Sequence, residues 1–151
     1  MYKRILVPYD GSPPSRAGLR EAIGLAGDSG ATLVVLHVVS ELPLLMGSEP
    51  YVNYGELADI LMTTGQQLAQ EAMAVVRKDG IKCETKVIDG GATAVCDVIL
   101  DQIAAQHCDL VVMGTHGRRG LKRLTLGSDA ELVVRRSAVP VLLAKAAEAT
   151  A

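Results

Sequence analysis

Apolar residues recur along this chain in two alternating rhythms. Short, nearly unbroken runs at residues 3–8 (KRILVP), 32–39 (TLVVLHVV), 110–113 (LVVM) and 139–144 (VPVLLA) have strand length. The second is apolar almost throughout, as expected of a strand covered on both faces in a parallel sheet. Residues 83–88 alternate instead, Glu84 and Lys86 opposite Thr85 and Val87, which predicts an edge strand followed by a turn at Asp89, Gly90 and Gly91. Between the strands the spacing becomes helical. Leu19, Ala22, Ile23 and Ala26 form one stripe, in a helix with Pro14 in its first turn, Ser12 or Pro13 at its cap and a stop near residues 28–30. Leu57, Leu61, Leu68, Ala72 and Val75 form another within residues 56–78, closed by Gly80. Val95, Ile99 and Ile103 stack within residues 92–106, and a last helix spans 128–136.

Strand and helix therefore alternate along the whole chain, which calls for an α/β fold with a parallel sheet, helices on both faces and right-handed crossovers. Five strands in the order 3-2-1-4-5 are the economical arrangement. Strands 1 and 4 then lie side by side where the chain reverses direction, and a crevice opens at their carboxyl ends. Pro8, Tyr9 and Asp10 should meet Met113 and Gly114 there. Residues 40–54, with two prolines and one glycine, break the rhythm. They fit a segment that folds over a ligand and equally a plain connector.

A chain of 151 residues reads as one domain, over residues 1–146, with an Ala-rich tail at 147–151 that frays. With 49% apolar residues and neither Phe nor Trp, its core must be aliphatic. A net charge of -2 supplies no global basic field, so nucleic acid is not an expected partner. Cys83, Cys96 and Cys108 form no C-x-x-C pair, and read as reduced, mostly buried thiols. Lacking an apolar leader and any run of 18 apolar residues, the chain is expected in the cytoplasm, with no membrane span.

Residues 110–134, LVVMGTHGRRGLKRLTLGSDAELVV, carry the chemistry. The strand runs into glycines at 114, 117, 120 and 127 and cations at Arg118, Arg119, Lys122 and Arg123, then into a helix N-terminus. Glycine lets backbone approach a ligand, and the first helical turn presents unpaired N–H groups and a positive dipole end. The pattern Gly114-x2-Gly117-x9-Gly127-Ser128 resembles the nucleotide-binding motif of the universal stress protein family. Residues 117–131 and 140–143 (PVLL) are similar to that family's last third, and residues 5–12, ILVPYDGS, resemble its first strand and loop. The resemblance covers essentially the whole chain, and it too implies the 3-2-1-4-5, Rossmann-like sheet of the adenine nucleotide α-hydrolase type.

That resemblance implies an adenine nucleotide in the crevice, ATP with Mg2+ as a possible companion. Pro8 and Val38 would wall the adenine, with Met113 packed on the same ring. Gly114 and Gly117 would admit ribose and phosphate. Gly127 and Ser128 would offer backbone N–H groups and a hydroxyl to phosphate oxygens, Ser128 serving as N-cap as well. Asp10 would bond the ribose or help hold Mg2+; its other reading is a turn aspartate bonding its own backbone. His116 and Arg118 are candidate lining and clamping residues. Asp129 is favoured by the helix dipole, by ~0.3–1 kcal/mol, yet repels a triphosphate unless a divalent cation intervenes. His37, inside a strand, reads as a core histidine with its hydrogen bonds satisfied. His107 reads as a helix-end residue.

No G-x-x-x-x-G-K-[ST] is present, and G-T-H-G is not H-x-G-H, so neither a P-loop nor a nucleotidylyltransferase is indicated. No nucleophile, base and orienting residue can be assembled. The expectation is an ATP-binding stress or signalling module, hydrolysing slowly at most. A module binding AMP or no nucleotide and acting through an unknown protein partner is the alternative, and a true hydrolase a third. A homodimer through Val139, Val141 and Leu143 on the last, open edge is expected by both edge exposure and family resemblance.

Overall fold

The computed structural model describes residues 1–40, 53–116 and 126–146. Among these described residues nine elements follow one another: β1 (Arg4–Pro8), α1 (Pro13–Ser29), β2 (Thr32–Ser40), α2 (Tyr54–Lys78), β3 (Cys83–Gly91), α3 (Val95–Ala105), β4 (Leu110–Gly114), α4 (Ser128–Arg136) and β5 (Val141–Ala144). The sheet is parallel, in the order β3-β2-β1-β4-β5. Ile5 pairs with Leu33 on one side and Leu110 on the other, so β1 is the central strand.

Period-two alternation sends neighbouring residues to opposite faces. Ile5, Val7, Leu33, Val35, Leu110 and Val112 face α1 and α2, against Leu19, Ala22, Ala26, Ala72 and Val76. Leu6, Val34, Leu36, Val111 and Met113 face α3 and α4, against Cys96, Ile99, Ile103, Ala130 and Val133. The core is aliphatic on the α3–α4 side, and on the α1–α2 side it is aliphatic but for the buried ring of Tyr9. Burying each Val, Leu or Ile is worth about 1.5–3 kcal/mol, and twelve of the largest side chains are under 2% exposed, so the sheet is the stable frame on which the strand tips sit.

Several predicted boundaries shift. The turn expected at Asp89–Gly91 is the end of β3, which bulges against Val39 and Ser40 to stay paired. The helix expected from residue 92 begins at Val95, because Ala92–Ala94 form the turn in which Thr93 N–H bonds Gly90 O. The strand expected from residue 139 begins at Val141; Ser137 Oγ and Val139 bond each other instead. Val75, expected on the buried stripe of α2, is 44% exposed, whereas Val76 is fully buried. Of the thiols, Cys96 and Cys108 are buried and Cys83 is half-buried.

Candidate functional site

The chain turns sharply at the tip of β1, and side chains hold the turn. Gly11 takes φ +79°, a conformation that favours glycine. Asp10 Oδ1 accepts the Ser12 N–H at 2.9 Å, and the Ser12 hydroxyl caps α1 by accepting the Ser15 N–H. Pro13 then occupies the first helical position, where its missing N–H costs nothing. Asp10 thus makes the turn bond anticipated for it and also stands on the wall of a cleft.

That cleft, of about 540 Å³, opens at the carboxyl ends of β1, β2 and β4. Its size falls within the ~300–1,000 Å³ of small-molecule sites. Of the residues singled out from the sequence, Pro8, Tyr9, Asp10, Val38, Met113 and Gly114 line it, together with His116, Gly127, Ser128 and Asp129. Gly117 and Arg118 lie outside the described residues, as do Arg119, Gly120, Lys122 and Arg123 and most of the 40–54 segment. The two ends of the glycine-rich stretch are stitched together: Thr115 N–H bonds Ala144 O, and Gly127 N–H bonds Thr115 O at 2.8 Å. Those bonds bring the start of α4 beside the tip of β4.

Tyr9 contributes backbone rather than ring. Its side chain is 4% exposed in the core shared with α1 and α2, and burial raises its phenol above the ordinary value. Its N–H bonds Leu36 O, and its carbonyl accepts the His37 Nδ1–H at 2.8 Å. A carbonyl can only accept, so His37 carries a proton on Nδ1. His37 is the buried, bonded histidine expected, but it also lines the cleft, which the sequence did not reveal. Gly65 lets α2 come this close, since a Cβ there would lie 2.6 Å from the imidazole. Leu61 and Thr64 of α2 and Ala94 and Val95 before and within α3 complete the walls. No motif marks them; only the assembled fold brings them to the cleft.

Gly114 lines the cleft and also has a packing role. A Cβ there would lie 2.5–2.7 Å from Pro14, so its bareness admits the first turn of α1 onto the tip of β4. Gly18 does the same a turn later, 3.1 Å from the Met113–Gly114 backbone.

The N-termini of α3 and α4 converge on the cleft, and they are treated differently. The cap of α4 is Gly127, not Ser128, and no side chain caps it; Ser128 is its first helical residue and is exposed. The first-turn N–H groups of α4 therefore remain available to a ligand. The cap of α3 is Ala94, which has no capping side chain, but Asp129 Oδ1 reaches across from α4 and accepts the Cys96 N–H at 3.3 Å. Arg136 ties the same two helices by a 2.6 Å ion pair with Asp97. Burial, then Asp97 and Asp129, hold the Cys96 thiol above its ordinary value, and burial lifts Cys83 and Cys108 to about 11. All three are protonated at neutral pH, which disfavours nucleophilic thiol chemistry.

The described lining carries two carboxylates, Asp10 and Asp129, and no lysine or arginine. Among the described residues no group of three or more His, Cys, Asp or Glu could hold a metal ion. No helix among them is long and apolar enough to cross a membrane. His107, at φ +52°, is exposed where α3 ends.

A model of the universal stress protein family matches residues 1–145. A universal stress protein of Thermus aquaticus is 32% identical over 145 residues, covering 96% of this chain and 100% of its relative. One from Methanocaldococcus jannaschii is 30% identical, covering 96% of this chain and 83% of the relative. Among solved structures, a universal stress protein family member from Burkholderia pseudomallei superposes with TM-score 0.76 at 27% identity, covering 94% and 95% of the two chains. Two more distant structures hold nucleotides: an Archaeoglobus fulgidus universal stress protein in complex with dAMP (TM-score 0.66, 21% identity, 95% and 98% covered), and an Arabidopsis thaliana family protein with AMP bound (0.67, 17%, 95% and 91%). At those identities the likeness is one of fold.

Proposed function

Because this chain belongs to the universal stress protein family, we propose that its cleft binds an adenine nucleotide, ATP together with Mg2+, and that the protein is a nucleotide-dependent stress or signalling module with slow hydrolysis at most. The observation that carries this reading is the meeting of three features on one cleft: the tip of β1, the tip of β4 and the uncapped N-terminus of α4. The fold likeness to proteins holding dAMP and AMP supports it.

On this reading Val38, Met113 and Pro8 supply the apolar surface for the base. The N–H groups at Ser128 and Asp129 receive a phosphate, where the helix dipole favours an anion. Asp10 bonds the ribose or turns toward the cation. Magnesium is commonly held by one or two carboxylates plus phosphate oxygens, and Asp10 and Asp129 fit that donor set. When bound, it neutralises phosphate charge. Nucleotide then shifts the protein's population toward a signalling shape. We place the protein in the cytoplasm as a homodimer paired through β5 and its approach, Val139, Val141 and Leu143.

Isothermal titration with ATP and Mg2+ should give a Kd at or below about 10 µM, near -7 kcal/mol. No heat with ATP, ADP or AMP up to millimolar concentration would overturn the proposal. The two carboxylates of the lining favour a second reading, in which AMP is the ligand and a protein partner carries the signal. Equal affinities for all three nucleotides would select it.

A further inference from the structure

We propose that Asp97 and Arg136, neither of which lines the cleft, are positioning residues for a ligand's phosphate. Their ion pair, together with the Asp129–Cys96 bond, brackets α4 on the first turn of α3 and so sets where the donors at the start of α4 aim. The inference rests on the nucleotide reading above and concerns how the phosphate end of that site is held in place.

First-turn N–H groups point along a helix, so the direction of the α4 axis decides where they aim. The Gly127 N–H bond to Thr115 O pins the start of α4 to the tip of β4, but one bond is a pivot and leaves the direction open. α4 has nine residues, and a helix of that length is marginal without tertiary support. Its buried side chains are small ones, Ala130 and Val133. Two polar ties supply what so slight an apolar contact lacks. Asp129, in the first turn, accepts the Cys96 N–H through Oδ1. Arg136, the last residue, pairs with Asp97 at 2.6 Å. Positions 129 and 136 are close to two full turns apart, so both ties leave α4 from one face. Their partners, Cys96 and Asp97, are adjacent in the first turn of α3. Opposite ends of α4 are therefore fastened to one end of α3. Tilting α4 about its start pulls Arg136 from Asp97, and rolling it pulls Asp129 from Cys96. The same turn of α3 places Val95 on the apolar wall of the cleft, so the bracket fixes the α4 donors against that wall.

Isothermal titration with adenosine, AMP and ATP with Mg2+ tests this, read as the gain in affinity that phosphate adds to adenosine. In the wild type that gain should be roughly tenfold or more. The Asp97–Arg136 pair is about half exposed and acts at a distance, so Arg136→Gln and Asp97→Asn should each cut the gain about threefold and leave adenosine binding unchanged. The double variant should lose no more than either single one, because the two residues form one tie. Arg136→Lys should retain most of the gain, since the single N–H···O bond does not need a guanidinium fork. Arg135→Gln removes the same charge from the same turn, but from a pair with Glu131 inside α4, and should leave the gain unchanged. If R136Q behaves like R135Q, or the double variant loses the product of the two single losses, the bracket is overturned while nucleotide binding stands. If AMP and ATP bind wild-type protein no more tightly than adenosine does, α4 holds no phosphate and the positioning role is overturned. If all three probes are silent in the wild type, the nucleotide reading falls and this inference with it.

Discussion

Gly114 illustrates how one residue can be legible as important and still carry a packing constraint that its neighbours in sequence do not show. Its place after a buried strand, in a glycine-rich stretch, points to backbone approaching a ligand. In the folded protein the atoms that crowd it belong to Pro14, on the first turn of α1. None of these three Pro14 atoms is the flexible end of a side chain, so an added methyl must push backbone apart, and overpacking of this kind costs about 1–3 kcal/mol. Gly114→Ala should therefore lower stability by about 2 kcal/mol, read as a reduced urea midpoint at constant m-value. It should also weaken nucleotide binding, because the displaced turn carries Asp10. Unchanged stability would mean that the β4 tip and α1 are less tightly joined than described. For Ser128 only the cap reading fails: a Ser before a helical run looks like a cap, but Gly127 sits in the extended conformation and takes that position. His37 was legible as a buried, bonded histidine, yet its place on the cleft depends on Gly65 of α2, far away in sequence.

At the scale of elements, the strands were legible because a sheet buried on both faces writes itself as an unbroken apolar run. Helices covering one face write a weaker signal, and α2 shows where it fails. Its buried line is Gly65, Ala69, Ala72 and Val76, small residues that let it lie close to β2 and β3. A search for large aliphatic residues at helical spacing takes Val75 in place of Val76 and rotates the stripe by one position. The two valines make a paired test of the register. Val76→Ala removes two methyl groups from a fully buried site and should cost about 1.5–2.5 kcal/mol. Val75→Ala, at an exposed site on a helix, should fall within about ±0.5 kcal/mol, since alanine is also the better helix former. Urea unfolding of both variants decides it, and equal losses would place the stripe between the two.

For the molecule as a whole, alternation and handedness reduce the strand orders to a few, and the family resemblance singles out the 3-2-1-4-5 that the sheet adopts. What alternation leaves open is the fate of the two sheet edges. The β3 edge is protected by charge: Glu84, Lys86 and Asp89 lie along it, and Arg4 of β1 pairs with Glu84 at 2.9 Å, which holds its carboxyl below the ordinary range. Among the described residues the β5 edge has no such device. Its four residues, Val141–Ala144, are all apolar, three of them only half-buried within one protomer, and Leu132 and Val134 of α4 are also exposed. An apolar strand with an open side invites pairing with its own copy, and charged edges are how proteins prevent it. The proposed dimer is therefore expected at β5 rather than at β3. Val141→Lys puts a charge on that edge and should convert the dimer to monomer on size-exclusion chromatography. Circular dichroism should show the α/β signature retained, because β5 is short and the sheet around β1 is complete without it. A dimer that survives the lysine would place the interface on another face of the molecule, with α4 the next surface to charge.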